Sequence, residues 1–188
     1  RGLFKVKTLD PAFDKVDASH RKEFVNRITN DAEIQEASQN WKGLSVAERV
    51  RVLQKAVDAQ SEILGLPQNT LRTFEKPRVN GRVAAGYYSP RKGTLKINVH
   101  PDAFSDFHEA LATAVHENAH RYQHHLTKQY RDKSIPPDSP MYETALSFRL
   151  NDLNYVSDPR TAYLNQPQEL HSEIWGMATY TAFPFKDG

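Results

Sequence analysis

The spacing of apolar residues changes along this chain, and each change marks an element. Val46, Val50, Leu53, Val57 and Leu64 recur at helical spacing. Ser45-Val46-Ala47-Glu48 ahead of them forms a capping box: the serine oxygen accepts from an early helical N–H and the glutamate answers back. Gly65 and Pro67 predict where this helix stops, since glycine tolerates the left-handed conformation and proline cannot continue the helix. Trp41 just before it is expected to anchor the core. Residues 19–37 carry Phe24, Val25, Ile28, Ala32 and Ile34 in a helical pattern that Asn30-Asp31 interrupts, and they read as scaffold helices. Residues 1–18 hold Leu3, Phe4, Val6, Leu9, Phe13 and Val16 without a clear period and read as an arm lying on the domain.

The period then falls to two. Leu95, Ile97 and Val99 alternate with Thr94, Lys96 and Asn98, and with Val83–Ser89 they flank Pro90-Arg91-Lys92-Gly93. That pattern predicts an antiparallel hairpin with one buried face. From Phe104 to Leu126 there is neither proline nor glycine, and Phe104, Phe107, Leu111, Val115, Tyr122 and Leu126 recur at helical spacing, with Ala114 and Ala119 filling in. Glu109, Thr113, His116, His120 and Gln123 fall on an adjoining face of the same helix. After the loop Ser134–Pro140, Ser139 as N-cap and Pro140 in the first turn predict another helix, carrying Met141, Ala145, Phe148 and Leu150. Residues 154–167 look irregular, and a last helix opens at Gln168. The expected fold is α+β: one mostly helical domain over residues 1–188 with a small antiparallel hairpin beside the long helix. Residues 1–78 form its helical N-terminal part, and residues 79–188 form the hairpin and the later helices.

Composition narrows the chemistry. A chain of 188 residues suits one domain with a proper core. With no cysteine, disulfides and thiolate metal sites are excluded, so any tightly held metal must use His, Asp or Glu. The formal net charge is +2, with both signs dispersed and no block of Lys and Arg, so no nucleic-acid partner is expected. No run is long or apolar enough to span a membrane, and no signal-peptide pattern is present. The first residue is Arg1 rather than Met, so the chain is expected to be a monomeric domain of something longer.

Against that background one stretch stands out, His116-Glu117-Asn118-Ala119-His120. On a helix, residues i and i+4 share a face, so both imidazoles can meet one ion. Glu117 lies beside them, placed to handle a proton on water but not to be a third ligand. Two neutral nitrogen ligands, a carboxylate base and room for water are what a zinc hydrolase needs. Catalytic zinc takes a third protein ligand. Leu126 and Gln123 exclude a histidine at the spacing of the elongated metzincin pattern, and His124, a turn further on, is expected at the rim. Glu169, at the start of the last helix, is the best candidate, and His171 is its rival from a different face of that helix.

Here the chain resembles the gluzincin branch of the zincin metallopeptidases. In that branch a His-Glu-x-x-His helix is followed by a second helix that brings a Glu ligand, with an acid four residues on supporting a ligand histidine. Glu169-Leu170-His171-Ser172-Glu173 matches that pattern. The resemblance implies that His116, His120 and Glu169 bind zinc and that Glu173 stands behind a histidine. A carboxylate on the outer imidazole N–H fixes the tautomer and raises ligand basicity. Two features depart from the pattern: the interval from His120 to Glu169 is longer than in compact gluzincins, and the supporting acid is Glu rather than Asp. The wider layout, ending in Tyr163-x-x-x-Pro167-x-Glu169, is similar to metallopeptidase toxin domains at the C-terminal ends of secreted bacterial effectors, including type VI secretion spike proteins.

The expectation is a zinc-dependent endopeptidase acting on a protein or peptide substrate, secreted or delivered into a target cell and countered by a cognate immunity protein. Glu117 is the expected base. Tyr163 is the first candidate to donate to the developing oxyanion, with Tyr155 and His171 as rivals. Two alternatives remain: a metal-stabilised module that binds a protein or the cell wall, and a hydrolase of peptidoglycan cross-links.

Overall fold

The computed structural model describes residues 9–185, so the first part of the expected arm, with Leu3, Phe4 and Val6, lies outside the described residues. The remainder of the arm is helical. The Asp10 carboxylate accepts from the Phe13 N–H at 3.2 Å and Pro11 occupies the first turn, starting α1 (Pro11–Thr29). Asp31 caps α2 (Ala32–Asn40) by accepting from Glu33 and Ile34 N–H, each at 3.0 Å, so the break expected at Asn30-Asp31 is present. Trp41 begins a 3-10 turn (Trp41–Gly43), packs edge-on against Phe104 and Phe107, and donates to the Phe104 carbonyl at 3.0 Å. Helix α3 (Val46–Ile63) carries both bonds of the capping box, and Gly65 beyond it has φ +70°.

The sheet has three strands, β1 (Leu71–Phe74), β2 (Gly86–Ser89) and β3 (Thr94–Asn98), in the order β1-β3-β2. Strands β2 and β3 make the expected hairpin. β1 pairs parallel to β3, with Leu71 opposite Leu95 and Phe74 opposite Asn98. The sheet is therefore mixed rather than antiparallel, and the helical description of residues 1–78 breaks at β1. The buried Asn98 side chain fastens the irregular segment before β2. Its Oδ1 accepts from the N–H of Lys76 (3.1 Å) and His100 (3.0 Å), and its Nδ2 donates to the carbonyls of Lys76 and Ala84, both at 2.8 Å.

A short α4 (Pro101–Phe104) precedes the long α5 (Phe107–Arg131). The unbroken run expected from Phe104 is split at Ser105-Asp106, because the Asp106 carboxylate caps a new helix at the Glu109 N–H (2.8 Å). The expected apolar stripe of α5 is buried throughout. Helix α6 (Tyr142–Leu153) starts later than Ser139-Pro140 had implied. Ser139 accepts from the Met141 N–H at 3.2 Å through its side chain and from Tyr142 at 3.1 Å through its carbonyl, so this pair forms a turn ahead of the helix. The segment expected to be irregular contains a short α7 (Arg160–Leu164), and α8 (Pro167–Ala182) closes the order. Helix α8 packs closely on α5 at Gly176, where a Cβ would lie 3.3 Å from the Ala112 carbonyl and 3.7 Å from the His116 Cβ. The fully buried Trp175 and Phe24 join α8 to α1 in the core. Among the described residues no helix is long and apolar enough to cross a membrane.

Candidate metal centre

The close crossing of α5 and α8 brings the motif residues together. His116 and His120 sit one turn apart on α5, and their Nε2 atoms lie 3.2 Å from each other. Glu169, in the first turn of α8, faces both, with Oε2 3.4 Å from His116 Nε2 and Oε1 3.2 Å from His120 Nε2. A tetrahedral ion with ligand bonds of about 2.0–2.1 Å spaces its ligands about 3.3 Å apart, so these separations fit zinc. Among the described residues this is the one group of His, Asp and Glu side chains close enough to share an ion. Glu169 is 1% exposed, yet its Oε2 accepts no hydrogen bond. A buried carboxylate oxygen without a donor is costly, and a cation would satisfy it.

The outer nitrogens settle which lone pairs face inward. His116 Nδ1 lies 3.3 Å from Glu173 Oε1, and His120 Nδ1 lies 3.0 Å from Gln123 Oε1. With a cation bound, a proton on each Nδ1 would leave both Nε2 lone pairs to that cation, on the side facing Glu169. The partner expected for a ligand histidine, Glu173, is thus placed against His116. Burial disfavours a charged His116, but Glu169, Glu173 and Glu117 outweigh it and hold the imidazole pKa up at about 10. His120 is pushed up in the same direction, against burial, by Glu169 and Glu117. Burial also opposes ionisation of Glu169, yet His116 and His120 keep its carboxyl well below the usual range. A negative cradle that favours a proton here favours a divalent cation as well.

Glu117 lies between two cavities, of about 550 Å³ on the His116 side and about 480 Å³ on the His120 side, and lines both with Gly86 and Tyr163. The Tyr155 hydroxyl donates to Glu169 Oε1 at 2.7 Å. For both tyrosines burial, then Glu169, pushes the phenol pKa far up, so each remains an O–H donor. Strand β2 is an edge of the sheet and borders the same cleft. The Asn98 N–H bonds to the Ala85 carbonyl at 2.8 Å, which puts Gly86 and Tyr88 at non-hydrogen-bonded positions opposite β3. Their main-chain N–H and C=O groups therefore point toward the open edge.

Comparison of the chain with family models, with curated proteins and with solved structures gave no match. The reading of the centre thus stands on its donor set. His171, the rival ligand and rival oxyanion donor, is not brought to it. That ring is fully buried among Phe13, Tyr122 and Phe148, 3.2 Å from the Asp17 carboxylate. His124 lines the second cavity beside Tyr88, at the rim as expected. Sequence reasoning missed Gln123 and Ser172 as partners of His120, with Ser172 Oγ 3.2 Å from His120 Nδ1. Gln123 lies three residues past His120 on the ligand-bearing face of the helix, and that spacing was the available signal.

Proposed function

We propose that this chain is a zinc-dependent endopeptidase of the gluzincin kind. The observation that carries it is three convergent donors, His116, His120 and Glu169, with Glu117 beside them in an open cleft. A structural zinc site would be closed by four protein ligands, whereas a catalytic one keeps a position free. The three-donor set therefore favours catalysis over a metal-stabilised binding module. Zinc, when bound, supplies a Lewis acid that polarises a carbonyl and acidifies water.

The chain's own residues supply the rest. Glu117 takes the proton from water and returns it to the leaving amine nitrogen. Tyr163 donates its O–H to the oxygen that gains charge as the carbonyl carbon becomes tetrahedral. The outward-facing main-chain groups of Gly86 and Tyr88 hold the substrate extended, as an added strand beside β2. Glu173 and Gln123 fix the two imidazoles by accepting from their Nδ1–H groups. A cleft that continues on both sides of the ion suits cleavage within a chain. The same chemistry would cut a peptidoglycan cross-link, and a substrate screen separates the two. Secretion or delivery into a target cell, as one domain of a larger chain met by an immunity protein, follows from the resemblance of its layout to effector toxins.

Glu117→Gln tests this reading. The variant is expected to bind one zinc as wild type does and to lose peptide hydrolysis by about 10²–10⁴-fold. Zinc stoichiometry and cleavage of an unfolded protein substrate read the two separately. Undiminished cleavage would remove Glu117 as the base.

A further inference from the structure

Four polar side chains follow one another by hydrogen-bond contacts from the metal centre to α1. His120 Nδ1 is 3.0 Å from Gln123 Oε1, Gln123 Nε2 is 2.8 Å from His171 Nδ1, and His171 Nε2 is 3.2 Å from Asp17 Oδ1. His171 and Asp17 are fully buried, and Gln123 is 1% exposed. The Asp17 carboxylate also accepts from Trp175 Nε1, at 3.1 and 3.2 Å to its two oxygens, and pairs with Arg21.

The direction of every bond in this row is set by groups that can play only one role. Gln123 Nε2 faces the Gln168 carbonyl at 2.8 Å, and a carbonyl can only accept. The amide nitrogen must therefore point that way, and the amide oxygen toward His120. Asp17 is ionised and can only accept, so His171 Nε2 carries a proton. His171 Nδ1 is then free to accept from Gln123. Gln123 Oε1 in turn requires a proton on His120 Nδ1, which leaves the Nε2 lone pair for the ion. Turning the amide over would set two oxygens against each other at the Gln168 carbonyl and reverse the His120 tautomer. Ser172 Oγ lies 2.9 Å from the same nitrogen, whose two protons are directed at the Gln168 carbonyl and His171.

The geometry points to Asp17 as a remote positioning residue for the metal centre: through His171 and Gln123, and together with the Gln168 carbonyl, it holds His120 in the one tautomer that presents Nε2 to a cation. This rests on the metal-centre reading above and extends it to a helix that contributes no ligand. Asp17 touches neither ion nor substrate, and its effect passes only through the two intervening side chains.

The test has two readouts, zinc affinity by competition with a chromophoric chelator and imidazole tautomers by long-range proton–nitrogen NMR. In the zinc-loaded wild-type chain, His171 is expected as the Nε2–H form and His120 as the Nδ1–H form. Finding the His171 proton on Nδ1 overturns the proposal without any variant. Asp17→Asn is expected to weaken zinc binding about tenfold, at the low end for residues behind a ligand, and to mix the His171 tautomers. Gln123→Met is expected to weaken it about 10–100-fold. In the Gln123→Met background, Asp17→Asn should change affinity by less than about twofold, because the route is already cut. Additive losses would mean general loosening of the core and would overturn the relay. A wild-type chain that takes up no zinc overturns the metal centre and this inference with it. A chain that binds zinc equally well with and without Asp17→Asn overturns the relay alone.

Discussion

At the scale of single residues, the two tyrosines of the cleft are placed differently. Tyr155 commits its hydroxyl to Glu169 Oε1 at 2.7 Å, whereas Tyr163 lines both cavities beside Glu117. Tyr163→Phe is therefore expected to lower kcat about 10²–10³-fold with little change in KM. Tyr155→Phe should act instead on zinc affinity, by releasing one oxygen of Glu169. Steady-state kinetics and chelator competition on the pair check this assignment, and a loss confined to KM in Tyr163→Phe would defeat it. That His116 and His120 come together was legible from sequence because i and i+4 on a helix share a face whatever the helix packs against. Glu169 and Glu173 came from the resemblance to the gluzincin pattern, their i, i+4 spacing placing them on one face of a second helix. Ser172 and Asp17 were not legible, since a polar side chain on a core-facing helix shows its partner only once the helices cross.

At the scale of elements, the site depends on how closely β2 lies against α5. A Cβ added at Gly86 would meet the Lys96 carbonyl oxygen at 2.8 Å and Thr113 Cγ2 at 2.9 Å. The carbonyl belongs to the paired strand β3 and cannot rotate aside. Gly86→Ala should therefore lift β2 away from Glu117, costing about 1–3 kcal/mol of stability as overpacking does, together with a large drop in kcat/KM. Denaturant melts and peptide kinetics measure both, and unchanged kinetics would show that the strand's position is not critical. The hairpin itself was legible from its alternation around a Pro/Gly turn. Strand β1 was not: it is four residues long with only Leu71 buried, and its parallel partner is remote in sequence. The start of α1 was written in the sequence as Asp10-Pro11, an N-cap followed by proline, but the scattered apolar residues around it hid the signal.

At the scale of the whole molecule, α1 is joined to α8 through one buried carboxylate. Burial works against an ionised Asp17, but His171, Arg21 and Trp175 outweigh it and lower its pKa below the unfolded value of 3.8. A depressed carboxylate pKa stabilises the fold above pH 3.8, and that stabilisation is lost as pH falls through the lower, folded value. Wild type should therefore lose stability steeply below that pH. Asp17→Asn should be less stable at neutral pH and flatter in acid, as thermal melts across this range would show. Equal acid slopes in the two proteins would remove Asp17 as the titrating group. The Asn98 side chain has a different consequence for the molecule. Three of its four main-chain bonds, to Lys76 and Ala84, pin the segment that leads into β2, which carries Arg78 and Val83 on a flank of the larger cavity. Under the proposed function, a substrate on that side would meet a wall whose main chain is already fastened before it arrives.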